Sequence, residues 1–369
     1  MYNLRDDQKL VIICRNIVRT IPAMSIFLCG SRATGQGVCD SSDYDIGVVM
    51  KTLSIPFYLG KLKELERRLS QEFNIDLAIN PLPTFKLHKA KGNLFLFKLK
   101  KEGITLYGQD CLQSLEPGDI KDIQIHWHFS YLFTAMKELT HSFSPELVTT
   151  RLDKWQRKAL GWDAAKALLH CGEVHLLVNN YYETATGDVI SKLHEFDLQD
   201  MDKQRFLKDL DTALYIRERE SAEIKDLLDF WFATREHLLA TFRLLIRTYL
   251  GYEASETKEL AIKYSRVRNG SKLKDLQYFV IASLDKKKIF WRSLITGISV
   301  EKRMWLALLW LLLSIDRTGY IDKECLLHSY NMLKFFVTMD HSEDEIVFWK
   351  HVSGSIMEYY PLACPIMGI

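Results

Sequence analysis

Two aspartates one residue apart, Asp43 and Asp45, open an apolar run at residues 44–50, and a Gly-Ser pair, Gly30-Ser31, closes an earlier run at residues 25–29. Alternate side chains of a strand share a face, so both carboxylates can be offered to hard divalent cations. Gly30 removes the side chain where the backbone must come close to an anion, and Ser31 adds a hydroxyl beside the amides that open the next turn. Arg32 follows as a candidate charge partner. Together these residues have the chemistry of a nucleoside-triphosphate site: acids for the metal, a Gly-Ser turn for the phosphates.

The elements that must position them follow from periodicity. Asp6 or Asp7 caps a first helix with Leu10, Ile13, Cys14, Ile17, Val18 and Ile21 at three-four spacing, ended by Pro22. Strands are expected at residues 25–29 and 44–50, and a helix at 58–73 buries Leu59, Leu62, Leu65, Leu69 and Phe73. A third strand is expected over residues 74–80, closed by Pro81 and Pro83, with Ile75, Leu77 and Ile79 on one face and Asp76 on the other. A lysine-rich segment from Lys86 to Lys101 then gives a helix, and residues 103–108 a last short strand.

Beyond Asp110 glycine and proline become sparse and helical patterns take over. Ser144-Pro145 is the expected start of one helix, residues 184–188 a loop, residues 220–249 a long helix and residues 251–257 a linker. Residues 268–271 have turn composition, and helices are expected over 300–315 and 325–336. The expected organisation is a first domain at 1–110, a helical bundle at 111–256 that would bind an acceptor, and a further helical region at 257–369, separate or part of the same bundle.

Composition sets the class. With 47% hydrophobic and 26% charged residues in 369, the chain has the make-up of a globular protein with more than one core. The net charge of +2 is uneven: residues 1–110 carry 16 Lys and Arg against 11 Asp and Glu, the remainder 33 against 36, and a basic first domain suits a polyanionic substrate. Seven cysteines, scattered and without a Cys-x-x-Cys pair, are expected to be free thiols without disulfides. The opening residues lack a basic start followed by an apolar segment, so a cytoplasmic location is expected. The longest apolar stretch, residues 304–315, falls well below the ~20 residues of a membrane span and is expected to be a buried helix.

The order Gly30-Ser31-Arg32-Ala33-Thr34-Gly35, then Ser42-Asp43-Tyr44-Asp45-Ile46, then a lone Asp76 after an intervening helix, resembles the DNA polymerase β-like nucleotidyltransferase superfamily, and within it the minimal nucleotidyltransferases. The likeness covers roughly residues 8–110, and Tyr107-Gly108 is similar to where those domains close. It implies an α+β domain, a mixed sheet flanked by helices, ahead of the all-α region. It also implies transfer of a nucleoside monophosphate from NTP to an acceptor hydroxyl, with pyrophosphate released and two Mg²⁺ or Mn²⁺ ions required. Asp43 and Asp45 would hold the ions, Asp76 would complete the second site or accept the proton, and Gly30, Ser31 and Arg32 would contact the phosphates.

Other residues invite blander readings. His126-Trp127-His128 places two imidazoles on diverging helical positions without a third ligand, and Trp305 and Trp310 read as core. Lys286 to Lys288 reads as a surface run. The helical region shows neither an RNA-recognition motif nor a strong basic stripe, which favours a small molecule or a protein as acceptor, with RNA still open. The alternative is a non-catalytic partner-binding protein that keeps the fold, such as one half of a toxin–antitoxin or defence pair.

Overall fold

Asp7 accepts a hydrogen bond from the Leu10 amide at 3.0 Å and starts helix α1, Gln8–Thr20, whose Leu10, Ile13 and Ile17 are buried. The structure, a computed structural model, describes residues 7–35, 43–88, 90–184, 186–198, 201–219, 224–253, 256–267, 298–334, 337 and 341–363. The chain forms two compact units: the described residues up to Trp127 together with Asn180–Val189, and His128–Asn179 together with the described residues from Ile190 onward.

In the first unit α1 leads to β1 (Ser25–Cys29), a one-turn helix α2 (Ser31–Thr34), β2 (Tyr44–Met50), α3 (Ile55–Phe73), β3 (Leu77–Pro83), α4 (Thr84–Leu87), α5 (Leu94–Glu102) and β4 (Ile104–Gly108). The four strands form one mixed sheet in the order β3-β2-β1-β4. β1 runs antiparallel to β2 and β4, while β2 and β3 are parallel, as a helical crossover between them requires.

Alternation along the strands sorts two cores. Ile26, Leu28, Tyr44, Ile46, Val48, Leu77 and Ile79 pack in one cluster with α1 and α3 residues. Phe27, Val49 and Leu82 belong to the opposite face, with Leu96 and Leu99 of α5 and Leu112 and Leu115 beyond β4. Gly47 is dictated by this second face, because it pairs with Phe27 and a Cβ there would lie 1.9 Å from the Phe27 ring.

The third strand differs from its expectation. Asn74 takes a left-handed conformation at φ 48° and closes α3, and the Ile75 amide donates back to the Ser70 carbonyl. The helix cap thus consumes residues that alternate like a strand, and β3 starts at Leu77, with Asp76 just ahead of it. Pro81 and Pro83 lie inside β3 instead of closing it. An edge strand tolerates prolines, since amides facing away from the sheet have no ladder bond to lose. The helix expected at 58–73 begins earlier, at Ile55, behind a 3-10 turn at Thr52–Ser54.

The second unit is helical: α6 (Ile125–His141) enters it, followed by α7 (Lys154–Val178), α8 (Thr186–Leu193), which runs into it from the returning segment, α9 (Lys203–Glu218), α10 (Leu227–Leu250), α11 (Thr257–Arg266), α12 (Val300–Leu313), α13 (Lys323–Leu333) and α14 (Glu345–Ala363). α7 packs against α9 and α10, and α12 against α11, α13 and α14. Three boundaries depart from expectation. Ser144-Pro145 opens only a 3-10 turn, Pro145–Val148, and the helix proper starts at Lys154, where Asp153 and Gln156 form a reciprocal capping box. α8 begins at Thr186, inside the expected loop. The long helix begins at Leu227. The expected turn at 268–271 and the lysine run at 286–288 lie outside the described residues.

α12 is buried nearly all round, including Trp305 and Trp310, as expected of a core helix, and no described helix is long and apolar enough to cross a membrane. Trp231 stacks on Phe143 with centroids 3.7 Å apart and donates its indole N–H to the Leu139 carbonyl at 2.9 Å. Further along the same helix lies a buried polar relay. Thr241 donates its hydroxyl to the His237 carbonyl at 2.9 Å, so the same oxygen accepts from His175 Nε2 at 2.9 Å and from the Cys171 thiol at 3.0 Å. Burial, helped by the neighbouring His237, lowers the His175 pKa to about 4.

Two measurements check this packing. Gly47→Ala is expected to destabilise the first unit by about 2–4 kcal/mol in urea unfolding, with part of the loss recovered in a Gly47→Ala, Phe27→Leu double variant. In the second unit, burial also holds His128 at about 4, as it holds His175. Between pH 6.5 and 5 only their unfolded forms gain protons, so stability is expected to fall with pH, by about 1.4 kcal/mol per pH unit for each residue. His141, raised first by its hydrogen bond to Asp163, works in the opposite sense, gaining stability as pH falls toward its unfolded pKa, and offsets part of this loss near pH 6.5. A His128→Gln variant should show about half the wild-type pH dependence of the melting midpoint.

Candidate active site

The Gly-Ser turn and the Asp-x-Asp pair meet because β1 ends where β2 begins: Cys29 pairs with Asp45 across the antiparallel ladder. Gly30 then turns the chain with φ +74° and ψ −163°, a conformation for which glycine is suited. A Cβ at Gly30 would lie 2.6 Å from Asp45 Oδ2. The Asp45 carboxylate thus lies close against the Gly30 backbone.

α2 follows directly. The Ala33 amide donates to the Gly30 carbonyl at 3.0 Å and the Gly35 amide to the Ser31 carbonyl at 2.9 Å, with Ser31 half-buried. Arg32 is buried, with its guanidinium carbon 3.8 Å from the centroid of the Tyr44 ring. Tyr44 donates its hydroxyl to Asp7 Oδ2 at 2.8 Å, the same aspartate that caps α1. Arg32 therefore fastens the turn to β2 and to the first helix.

The parallel register carries the site to the third strand. Tyr44 pairs with Leu77 and Asp45 with Ala78, and the Tyr44 amide donates to the Asp76 carbonyl at 2.8 Å. Asp76 thus stands beside Asp43 in register, at the starts of two adjacent strands, although it is exposed and lies before β3. Its charge is felt by Glu66, which accepts the Ile79 amide at 2.7 Å and whose carboxyl is raised, by burial first and by Asp76 among its neighbours.

Cys29 lies under the acids. Its thiol donates to the Asp45 carbonyl at 3.3 Å, and burial, then the charges of Asp45, Glu102 and Asp43, push its pKa well above the ordinary thiol value. A thiol held neutral supplies no thiolate, so what this end of the sheet offers a metal is carboxylate oxygen, the chemistry hard divalent cations take. Among the described residues no three His, Cys, Asp or Glu side chains are gathered closely enough to hold an ion. Asp43 and Asp45 are half-buried at the start of β2, and both carboxylates act on Cys29.

Two residues here escape the sequence reading. Glu102, the last residue of α5, acts on Cys29 together with the aspartates, and Tyr182 donates its hydroxyl to Glu102. One signal in the sequence bears on Glu102: it is the single acid between Asp76 and Asp110, in an otherwise basic segment. Tyr182 carries no such mark, because the chain returns to this unit only after α6 and α7. The histidines of His126-Trp127-His128 are packing residues: His126 meets the Trp127 ring at 6.0 Å, and His128 is buried and stacked on Tyr249 at 5.2 Å. The described cysteines, Cys14, Cys29, Cys111, Cys171 and Cys325, are free thiols, while Cys39 and Cys364 lie outside the described residues.

Gly30→Ala is expected to displace the Asp45 carboxylate and to cost about 1–3 kcal/mol, since the added methyl meets both an oxygen and an unfavourable φ. Urea unfolding checks this beside Gly35→Ala, which sits in the milder αL region with open space around its Cβ and should cost less. In comparisons with known proteins, the sequence matches no family model and no curated protein.

Proposed function

We propose that the first unit is a metal-dependent nucleotidyltransferase of the DNA polymerase β-like type, transferring NMP from NTP to an acceptor hydroxyl. One observation carries the reading: the fold sets the Asp45 carboxylate against Gly30, so that the Gly-Ser turn and the Asp43-Asp45 pair form one place. The strand arrangement supports it, with the third acid, Asp76, next to Asp43 in register.

In this reading Asp43 and Asp45 hold two Mg²⁺ or Mn²⁺ ions, with Asp76 as the third carboxylate. Bound ions supply neutralisation of the triphosphate and a lowered pKa for the attacking hydroxyl. Gly30 and Ser31 hold the β and γ phosphates, which presents the α-phosphorus to in-line attack. Arg32, stacked on Tyr44, works by fixing the turn. The helical unit binds the acceptor, a small molecule or a protein in preference to RNA, since its sequence is close to neutral.

The test is incubation with each α-labelled NTP, Mg²⁺ or Mn²⁺, and pools of small molecules, proteins and RNA. Wild type should transfer label and release pyrophosphate, and an Asp43→Ala, Asp45→Ala variant should lose at least about 100-fold of the rate. Equal nucleotide binding and equal transfer by the two proteins would remove the enzymatic reading and leave a partner-binding role.

A further inference from the structure

The sheet end that carries Asp43 and Asp45 is also where β4 begins. Leu28 pairs with Ile104, so Gly103 and Glu102 come alongside Cys29, whose other neighbour is Asp45. Gly103 is a tight joint: a Cβ there would lie 2.5 Å from the Leu99 carbonyl oxygen and 2.8 Å from a Leu112 methyl. The last turn of α5 is thereby pressed against the start of β4, which fixes where Glu102 emerges.

Glu102 is also held from outside the contiguous domain. Tyr182, half-buried, donates its hydroxyl to Glu102 and sets its ring edge-on against Phe97 at 5.4 Å, with Lys98 Nζ 5.6 Å from the ring centroid. A carboxylate merely solvating a helix end has no need of a tyrosine delivered from a distant part of the chain. Glu102 and Asp45 flank the end of β1 from the two strands that pair with it, while Asp76 stands one strand further on, beside Asp43.

We propose that Glu102, oriented by Tyr182, is the general base that takes the proton of the acceptor hydroxyl. The proposal rests on the nucleotidyl-transfer reading and departs from the expectation that Asp76 accepts the proton. As the acceptor oxygen forms its bond to the α-phosphorus, its proton passes to the Glu102 carboxylate. The bond from the α-phosphorus to the bridging oxygen breaks, and pyrophosphate leaves with the electron pair. Glu102 afterwards gives the proton to solvent. Tyr182 is a positioning residue: its hydrogen bond to one carboxylate oxygen sets the direction of the other and moderates the basicity of the group.

The experiment follows pyrophosphate release from an equimolar mixture of the four NTPs with Mg²⁺, water serving as acceptor, across pH 5 to 9. Binding of the same NTP mixture is measured separately. Glu102→Gln is expected to bind the NTPs within about twofold of wild type, to lose about 100-fold or more of the rate, and to lose the acid limb of the pH profile. Tyr182→Phe should keep that limb but move its midpoint, with a several-fold loss of rate. Asp76→Asn should retain the limb. An unchanged limb in Glu102→Gln, its disappearance in Asp76→Asn, or loss of NTP binding in Glu102→Gln would each overturn the assignment while leaving nucleotidyl transfer standing. A wild type that neither binds NTP nor releases pyrophosphate would overturn both.

Discussion

The close approach of the Asp45 carboxylate to the Gly30 backbone is the constraint on which the first unit depends. A Cβ at Gly30 would meet Asp45 Oδ2 at 2.6 Å, and the backbone there has a φ that L side chains rarely adopt, so the position favours glycine. The left-handed φ that glycine permits is what turns β1 into α2. From there the arrangement propagates through Arg32 over Tyr44 and Tyr44 to Asp7, so the turn, the second strand and the cap of the first helix share one set of contacts.

The sheet does the rest of the positioning with few specific contacts. Its two faces are filled by separate apolar clusters, and Asp43 and Asp45 share the face of Phe27 and Val49, at the start of β2. The pairing of Gly47 with Phe27 explains why that strand carries a glycine among buried apolar residues: the space is occupied by an aromatic ring from the next strand. Polar groups at one end and rings in the middle allow the acids to stay hydrated while the register that aligns them is set by burial.

Much of this was legible in the sequence, and the reasons are local. Strands β1 and β2 are bounded by the residues expected, because an apolar run ended by Gly-Ser and one begun by Asp-x-Asp carry their own punctuation. β3 was placed too early because Asn74 and Ile75 alternate like strand residues while serving as a helix cap, and because prolines that end a central strand are admitted at an edge. The helix start misplaced at Ser144 has a similar origin: Ser-Pro is a sound opening for one turn, but the Asp153 box opens the long helix. The Glu102–Tyr182 contact could not be read at all, since no local pattern announces a pairing between residues 80 apart in sequence.

That pairing belongs to a chain that leaves its first unit after Trp127 and comes back at Asn180. The unit is therefore discontinuous, and its last piece is synthesised only after two long helices of the other unit. On the ribosome the sheet can form early, whereas the tyrosine that steadies Glu102 arrives about seventy residues after its last strand, so that contact waits on two helices of the other unit being made. A fragment cut after the sheet would keep every acid of the site and lack the residue that aims one of them.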